Sequence, residues 1–112
     1  MRKLLAGFGL LLLFVPAVGA AEDAQLLFIA KCSTCHGVHG DGKGHEGMKI
    51  KPADLRSAAV QKLSDEELFK TIAYGVGHKE YAHGFIERGL SAEQISGLVT
   101  YLRKFARPAK KP

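Results

Sequence analysis

Apolar residues fill positions 4–15 almost without a break, behind Met1, Arg2 and Lys3 and ahead of Val18, Gly19 and Ala20. A positive start, an apolar middle and small residues at peptidase spacing form the three-part pattern of a secretory signal peptide. The block falls short of the ~20 residues that a bilayer-spanning helix needs, so a cleaved leader is favoured over an anchor. The expected cut lies after Ala20 or Ala21, which makes residues 1–21 the signal peptide and residues 22–112 one mature domain.

Within that domain the apolar spacing becomes helical in three places. Ala24, Leu27, Phe28 and the stem of Lys31 share one face of a segment over residues 23–31. Ser64-Asp65-Glu66-Glu67 is a capping box, and it opens a helix carrying Leu68, Phe69, Ile72 and Ala73 that closes at Gly75. Ser91-Ala92-Glu93-Gln94 is a second box, ahead of the stripe Ile95, Leu98, Val99, Leu102 and Phe105, and Pro108 bars continuation. Two glycine-rich stretches, residues 37–47 and 75–89, lack the alternation of strands. The pattern predicts an all-α domain with long loops. Loops of that length in so short a chain need something to wrap.

Composition sharpens this point. Removing the first 21 of 112 residues leaves about 91, with no Trp, two cysteines and most of the thirteen glycines. A domain of that size buries too little surface to be comfortably stable without a staple, metal or cofactor. A large apolar macrocycle would supply the missing core. The formal charge of +5 falls to about +3 once Arg2 and Lys3 leave with the leader. The excess is mostly lysine and ends in a basic tail, Arg103, Lys104, Arg107, Lys110 and Lys111. Without interleaved aromatics or a reading motif it does not point to nucleic acid. A solvated helix face explains it, and the alternative is steering toward an acidic partner or an anionic surface.

The chemistry is concentrated at Cys32-Ser33-Thr34-Cys35-His36. The pattern C-x-x-C-H marks covalent attachment of c-type haem: two thiols add to the vinyl groups and the histidine binds the iron. Three other readings compete. A Cys32–Cys35 disulfide would close a tiny loop. A thioredoxin-like pair expects a βαβ setting that the chain lacks. A zinc site needs four ligands, and no second ligand pair has the usual spacing.

On these residues the chain resembles the single-haem cytochromes c of bacterial type. Residues 40–44, Lys51-Pro52-Ala53-Asp54-Leu55, the helix after Ser64 and the helix after Ser91 are similar to the family's successive segments. The resemblance implies a small cytochrome c-like fold of three to five helices around one covalent haem c. Cys32 and Cys35 would form the thioethers, with His36 as proximal iron ligand. It also implies that Ala24 and Phe28 meet Leu98 and Tyr101, and that the Pro52 carbonyl faces the His36 ring.

The family pattern breaks on the far side of the iron. The usual methionine stands three residues before an aromatic; with Phe85 as that aromatic, Ala82 takes its place. Met48, the one methionine of the mature chain, lies in the wrong loop. The loop offers His78, Lys79, Tyr81 and His83. Lysine must first lose a proton, whereas an imidazole binds iron at neutral pH. His83 is therefore the distal candidate and His78 the next; His39 and His45 are expected to be exposed. The sequence thus predicts an exported one-electron carrier, periplasmic or otherwise extracytoplasmic, rather than an enzyme. Its partners would be redox proteins, with no nucleic acid and no required membrane association, and the chain would act as a monomer or as a subunit of a complex. The alternatives are a gas or redox sensor with an open sixth position and a haem subunit of a larger oxidoreductase.

Overall fold

The computed structural model describes residues 7, 9–14, 20–78 and 83–107. Five helices follow in order: α1 Ala20–Lys31, α2 Ser33–His36, α3 Ala58–Gln61, α4 Asp65–Tyr74 and α5 Ala92–Leu102. A single 3₁₀ turn, Arg103–Phe105, extends α5. No strand occurs among the described residues.

The expected helix starts at Ser64 and Ser91 are present in full. At each, the serine hydroxyl accepts from the N3 backbone N–H while the N3 side chain accepts from the serine N–H. Two of the orphan donors at each helix start are satisfied in this way. Helix α4 ends at Gly75, whose φ of 69° is the left-handed conformation a C-cap requires. Helix α5 stops at Leu102, before Pro108, which lies outside the described residues. Helix α1 starts earlier than residue 23, because Ala20, Ala21 and Glu22 are themselves helix-compatible residues.

Packing of α1 on α5 forms the main core. Phe28 is fully buried, with its ring centre 5.2 Å from that of Tyr101 and 5.1 Å from that of Phe105. Leu55, Leu98 and Leu102 complete this cluster, and Ala24 is buried on the same helix. The expected meeting of Phe28 with Leu98 and Tyr101 is therefore observed. A second cluster of Ala73, Phe85 and Ile95 joins α4 to α5 and the loop between them. Arg103 fixes the end of α5 by donating to the carbonyls of Gln61 and Leu63 and to the Asp65 carboxylate.

Candidate functional site

Helix α1 runs directly into the cysteine motif, with the Cys32 N–H donating to the Phe28 carbonyl at 2.9 Å. Helix α2 carries the rest of the motif, and the His36 N–H closes on the Cys32 carbonyl at 2.9 Å. The glycine loop then folds back onto it: Gly42 and Gly44 donate to the carbonyls of His36 and Cys35 at 2.8 and 3.1 Å. A Cβ at Gly44 would run into the carbonyl of Thr34, so this approach admits only glycine.

Cys32, Cys35 and His36 line one wall of a cavity of about 340 Å³. Phe28, Leu55, Leu68, Ile72, Leu98 and Leu102 make most of the rest apolar. That volume lies at the small end of the ~300–1,000 Å³ typical of cofactor and ligand sites. The two cysteines are not joined to each other. Burial, with Cys35 beside it, pushes the Cys32 thiol up to about 11. The thioredoxin-like alternative expects a βαβ setting, and no strand occurs among the described residues. Among the described residues no three His, Cys, Asp or Glu side chains group closely enough to hold a bare metal ion.

His36 donates from Nδ1 to the Ala53 carbonyl at 3.0 Å. A carbonyl can only accept, so Nδ1 carries the proton and Nε2 keeps a lone pair for a metal. Here the structure corrects the expectation that Pro52 supplies the acceptor. The Pro52 carbonyl is turned toward Gly42, where an added Cβ would come within 2.8 Å of it, and the next carbonyl is the one that meets His36. Burial lowers the His36 pKa, the Ala53 bond opposes that shift, and His78 adds to it.

His78 and His83 line the same cavity. The backbone N–H groups of Gly84 and Phe85 both donate to the Ile72 carbonyl, at 3.1 and 3.0 Å, and Phe85 is buried against α4 and α5. This anchor holds His83 over the cavity. Its Nδ1 is buried and has no hydrogen-bond partner, an orphaned polar atom of the kind that a bound metal would satisfy. Burial, then the neighbouring His78, His36 and Arg88, lowers its pKa to about 4. The ring is neutral at pH 7 and its lone pair is free.

The His36 and His83 ring centres stand 6.3 Å apart. Two imidazoles on opposite sides of one metal, each bonded at about 2 Å with ~1.15 Å from nitrogen to ring centre, would stand roughly 6.3 Å apart. Two thiols, a histidine with a fixed tautomer, a facing imidazole and apolar walls thus fit an iron porphyrin.

The family model described as "Cytochrome C oxidase, cbb3-type, subunit III" matches residues 19–102. The chain belongs to this cytochrome c family. A solved structure, the KustC0563 c-type cytochrome, is 32% identical, with a TM-score of 0.61, over 76% of this chain and 99% of that one. No curated protein matches. The cofactor of this cytochrome is covalently bound haem c, and its chemistry is haem-based electron transfer.

His39 and His45 are exposed in the loop after His36, and Met48 is not among the cavity's lining residues. Ala82, Lys79 and Tyr81 lie outside the described residues. The role of the Ala53 carbonyl escaped the sequence because a backbone acceptor leaves no side-chain signature. Leu68 and Leu102 were readable as core from their helical spacing, Leu55 was not, and all three line the cavity.

Proposed function

We propose that this cytochrome is an exported one-electron carrier whose haem is attached through Cys32 and Cys35 and ligated by His36 and His83. The observation that carries the reading is the pair of imidazoles, with ring centres 6.3 Å apart, that line one largely apolar cavity together with Cys32 and Cys35. When bound, the haem supplies the Fe(III)/Fe(II) couple. The protein supplies the rest. His36 is held in one tautomer by Ala53, His83 is held over the cavity by its neighbours' bonds to Ile72, and the apolar walls exclude water. With His36 and His83 both as ligands, a bound haem would have no open position and would pass electrons without binding a substrate. Methionine paired with histidine raises a haem potential, so two histidines set this carrier below relatives with a methionine.

Export is supported by the leader pattern of residues 1–21 and by the apolar side chains of residues 10–14, which stand 79–95% exposed among the described residues. No helix among the described residues is long and apolar enough to cross a membrane. The carrier is then periplasmic, and its partners are redox proteins.

Expression in cells that mature c-type cytochromes tests the attachment. The processed polypeptide should be heavier by one haem, and its oxidised form should give a low-spin spectrum. A mass equal to the bare peptide would end the reading, and a high-spin spectrum would return the site to the open-position sensor. The description of the matching family favours a second role, the same carrier as a subunit of an oxidase. Purification at a native mass well above that of the monomer would support it.

A further inference from the structure

The carbonyl that fixes the His36 tautomer belongs to Ala53, whose methyl side chain can form no hydrogen bond. From residue 45 to residue 54 no backbone N–H donates to a backbone carbonyl among the described residues. The loop that delivers this acceptor therefore has no ladder of its own. Its hold begins at the next residue. One Asp54 carboxylate oxygen accepts from the Arg56 backbone N–H and from Arg56 Nε, both at 3.0 Å. The other accepts from Arg56 Nη2 at 3.0 Å and from Arg107 Nη2 at 3.4 Å. The bond to the Arg56 N–H closes an Asx turn, which restricts the Asp54 backbone. The two from the Arg56 guanidinium form a bidentate, charge-assisted pair. The Asp54 carbonyl also accepts from the Ser57 N–H at 3.1 Å. The Ala53 carbonyl and the Asp54 nitrogen belong to one planar peptide unit, so the Asp54 backbone sets the direction of that oxygen. The bond from the Leu55 N–H to the Gly40 carbonyl, at 2.7 Å, fixes the following peptide and not this one.

We propose that the Asp54 carboxylate is a positioning group for His36: it holds the Ala53 carbonyl on Nδ1 and so tunes the iron that His36 ligates. The proposal rests on the reading of His36 as an iron ligand. A stronger bond from Nδ1 makes the ring more basic toward the metal, and a more basic ligand favours Fe(III) over Fe(II). Asp54 never touches the ring. Its effect passes through one peptide unit, and loosening that unit raises the potential.

The test uses full-length holoprotein with isotope-labelled histidine, as wild type and as Asp54→Ala, Asp54→Asn and Asp54→Glu. Two quantities are read: the deuterium exchange rate of the His36 Nδ1 proton in the reduced form, by nuclear magnetic resonance, and the midpoint potential. Asp54→Ala should speed exchange roughly fivefold, the factor that one lost ordinary hydrogen bond carries, and should raise the potential. Asp54→Asn keeps an oxygen for the Arg56 N–H but no charge, and should restore slow exchange. Asp54→Glu keeps the charge but carries its carboxylate one carbon beyond the turn. It should exchange as fast as the alanine variant, and it gives the same readout if Asp54→Ala fails to accumulate. Equal potential shifts in the alanine and asparagine variants, with exchange unchanged, would show Asp54 acting through its charge alone and overturn the proposal. Exchange and potential both unchanged in Asp54→Ala overturn it in favour of the Leu55 anchor. A wild-type His36 Nδ1 proton without the ring-current displacement of an iron-bound imidazole overturns the reading of His36 itself, which none of the Asp54 outcomes touches.

Discussion

At the residue scale, two glycines separate two reasons for having no side chain. Gly44 sits where a Cβ would strike the Thr34 carbonyl, yet its φ is ordinary; Gly47 has a φ of 76° with nothing within 4 Å of the missing Cβ. Gly44→Ala therefore meets backbone that cannot yield without moving the cysteine motif, and should cost ~3 kcal/mol, the top of the range for overpacking. Gly47→Ala bears only left-handed strain, about 1–2 kcal/mol. Denaturant midpoints of the two holoproteins, with haem content per chain, should rank them in that order, and only Gly44→Ala should lose haem. The sequence made Gly40, Gly42 and Gly44 readable as a loop, but it could not tell which of them touches Thr34, because that contact depends on how the loop folds back. Asp54 supplies a pH test at the same scale. Hydrogen bonds from Arg56, with the charges of Arg56 and Arg107 nearby, hold its pKa at about 2, below the ordinary 3.8. The native state therefore binds its proton later than the unfolded chain does. Its contribution is full above about pH 4 and is lost as the pH falls through about 2. Replacement by asparagine should therefore lower the melting temperature at neutral pH and flatten its fall between about pH 4 and 2, the two proteins converging in stronger acid.

At the element scale, α4 and α5 were readable to the residue at their starts because each has a serine followed three positions later by a side chain that reaches back. The same logic predicts the cost of removing a cap. Ser64→Ala and Ser91→Ala should each lose about 1 kcal/mol, and their effects should add, since they open different helices. A double variant that loses much more than the sum would mean that the two starts are coupled through the cavity wall. Helix α3 was not readable. Its four residues, Ala58–Gln61, are too few to display a period, and what fixes them is tertiary. Gln61 donates to the carbonyls of Leu55 and Leu102 at 2.7 and 3.0 Å, tying the helix to chain on either side of it. The crossing of α1 and α5 was readable from family resemblance and is centred on Phe28. Phe28→Ala should cost about 3–5 kcal/mol, because Tyr101, Phe105 and Leu98 would be left around a hole.

At the scale of the whole molecule, the glycine-rich composition pointed to a missing core, and the cavity gives that shortage a size. The space of about 340 Å³ is lined by Phe28, Leu98 and Leu102 of the core itself, so the packing of the fold depends on what fills it. The sequence could not say which loops would face each other across the cavity, since His36 and His83 come together only when α4 and α5 pack and the loop between them bonds back to Ile72. Cys32→Ala with Cys35→Ala removes covalent attachment while leaving both capped helices intact. The expected product is colourless and retains helical far-ultraviolet signal, but it melts without a cooperative transition and binds dyes that seek exposed apolar surface. Its two serine caps still operate, because they are local. The α1–α5 crossing loosens, because Phe28, Leu98 and Leu102 are at once the core and the lining of the cavity. A double cysteine variant that melts cooperatively near the temperature of the holoprotein would mean that the walls close on each other, and haem would then be a passenger in the fold rather than its centre.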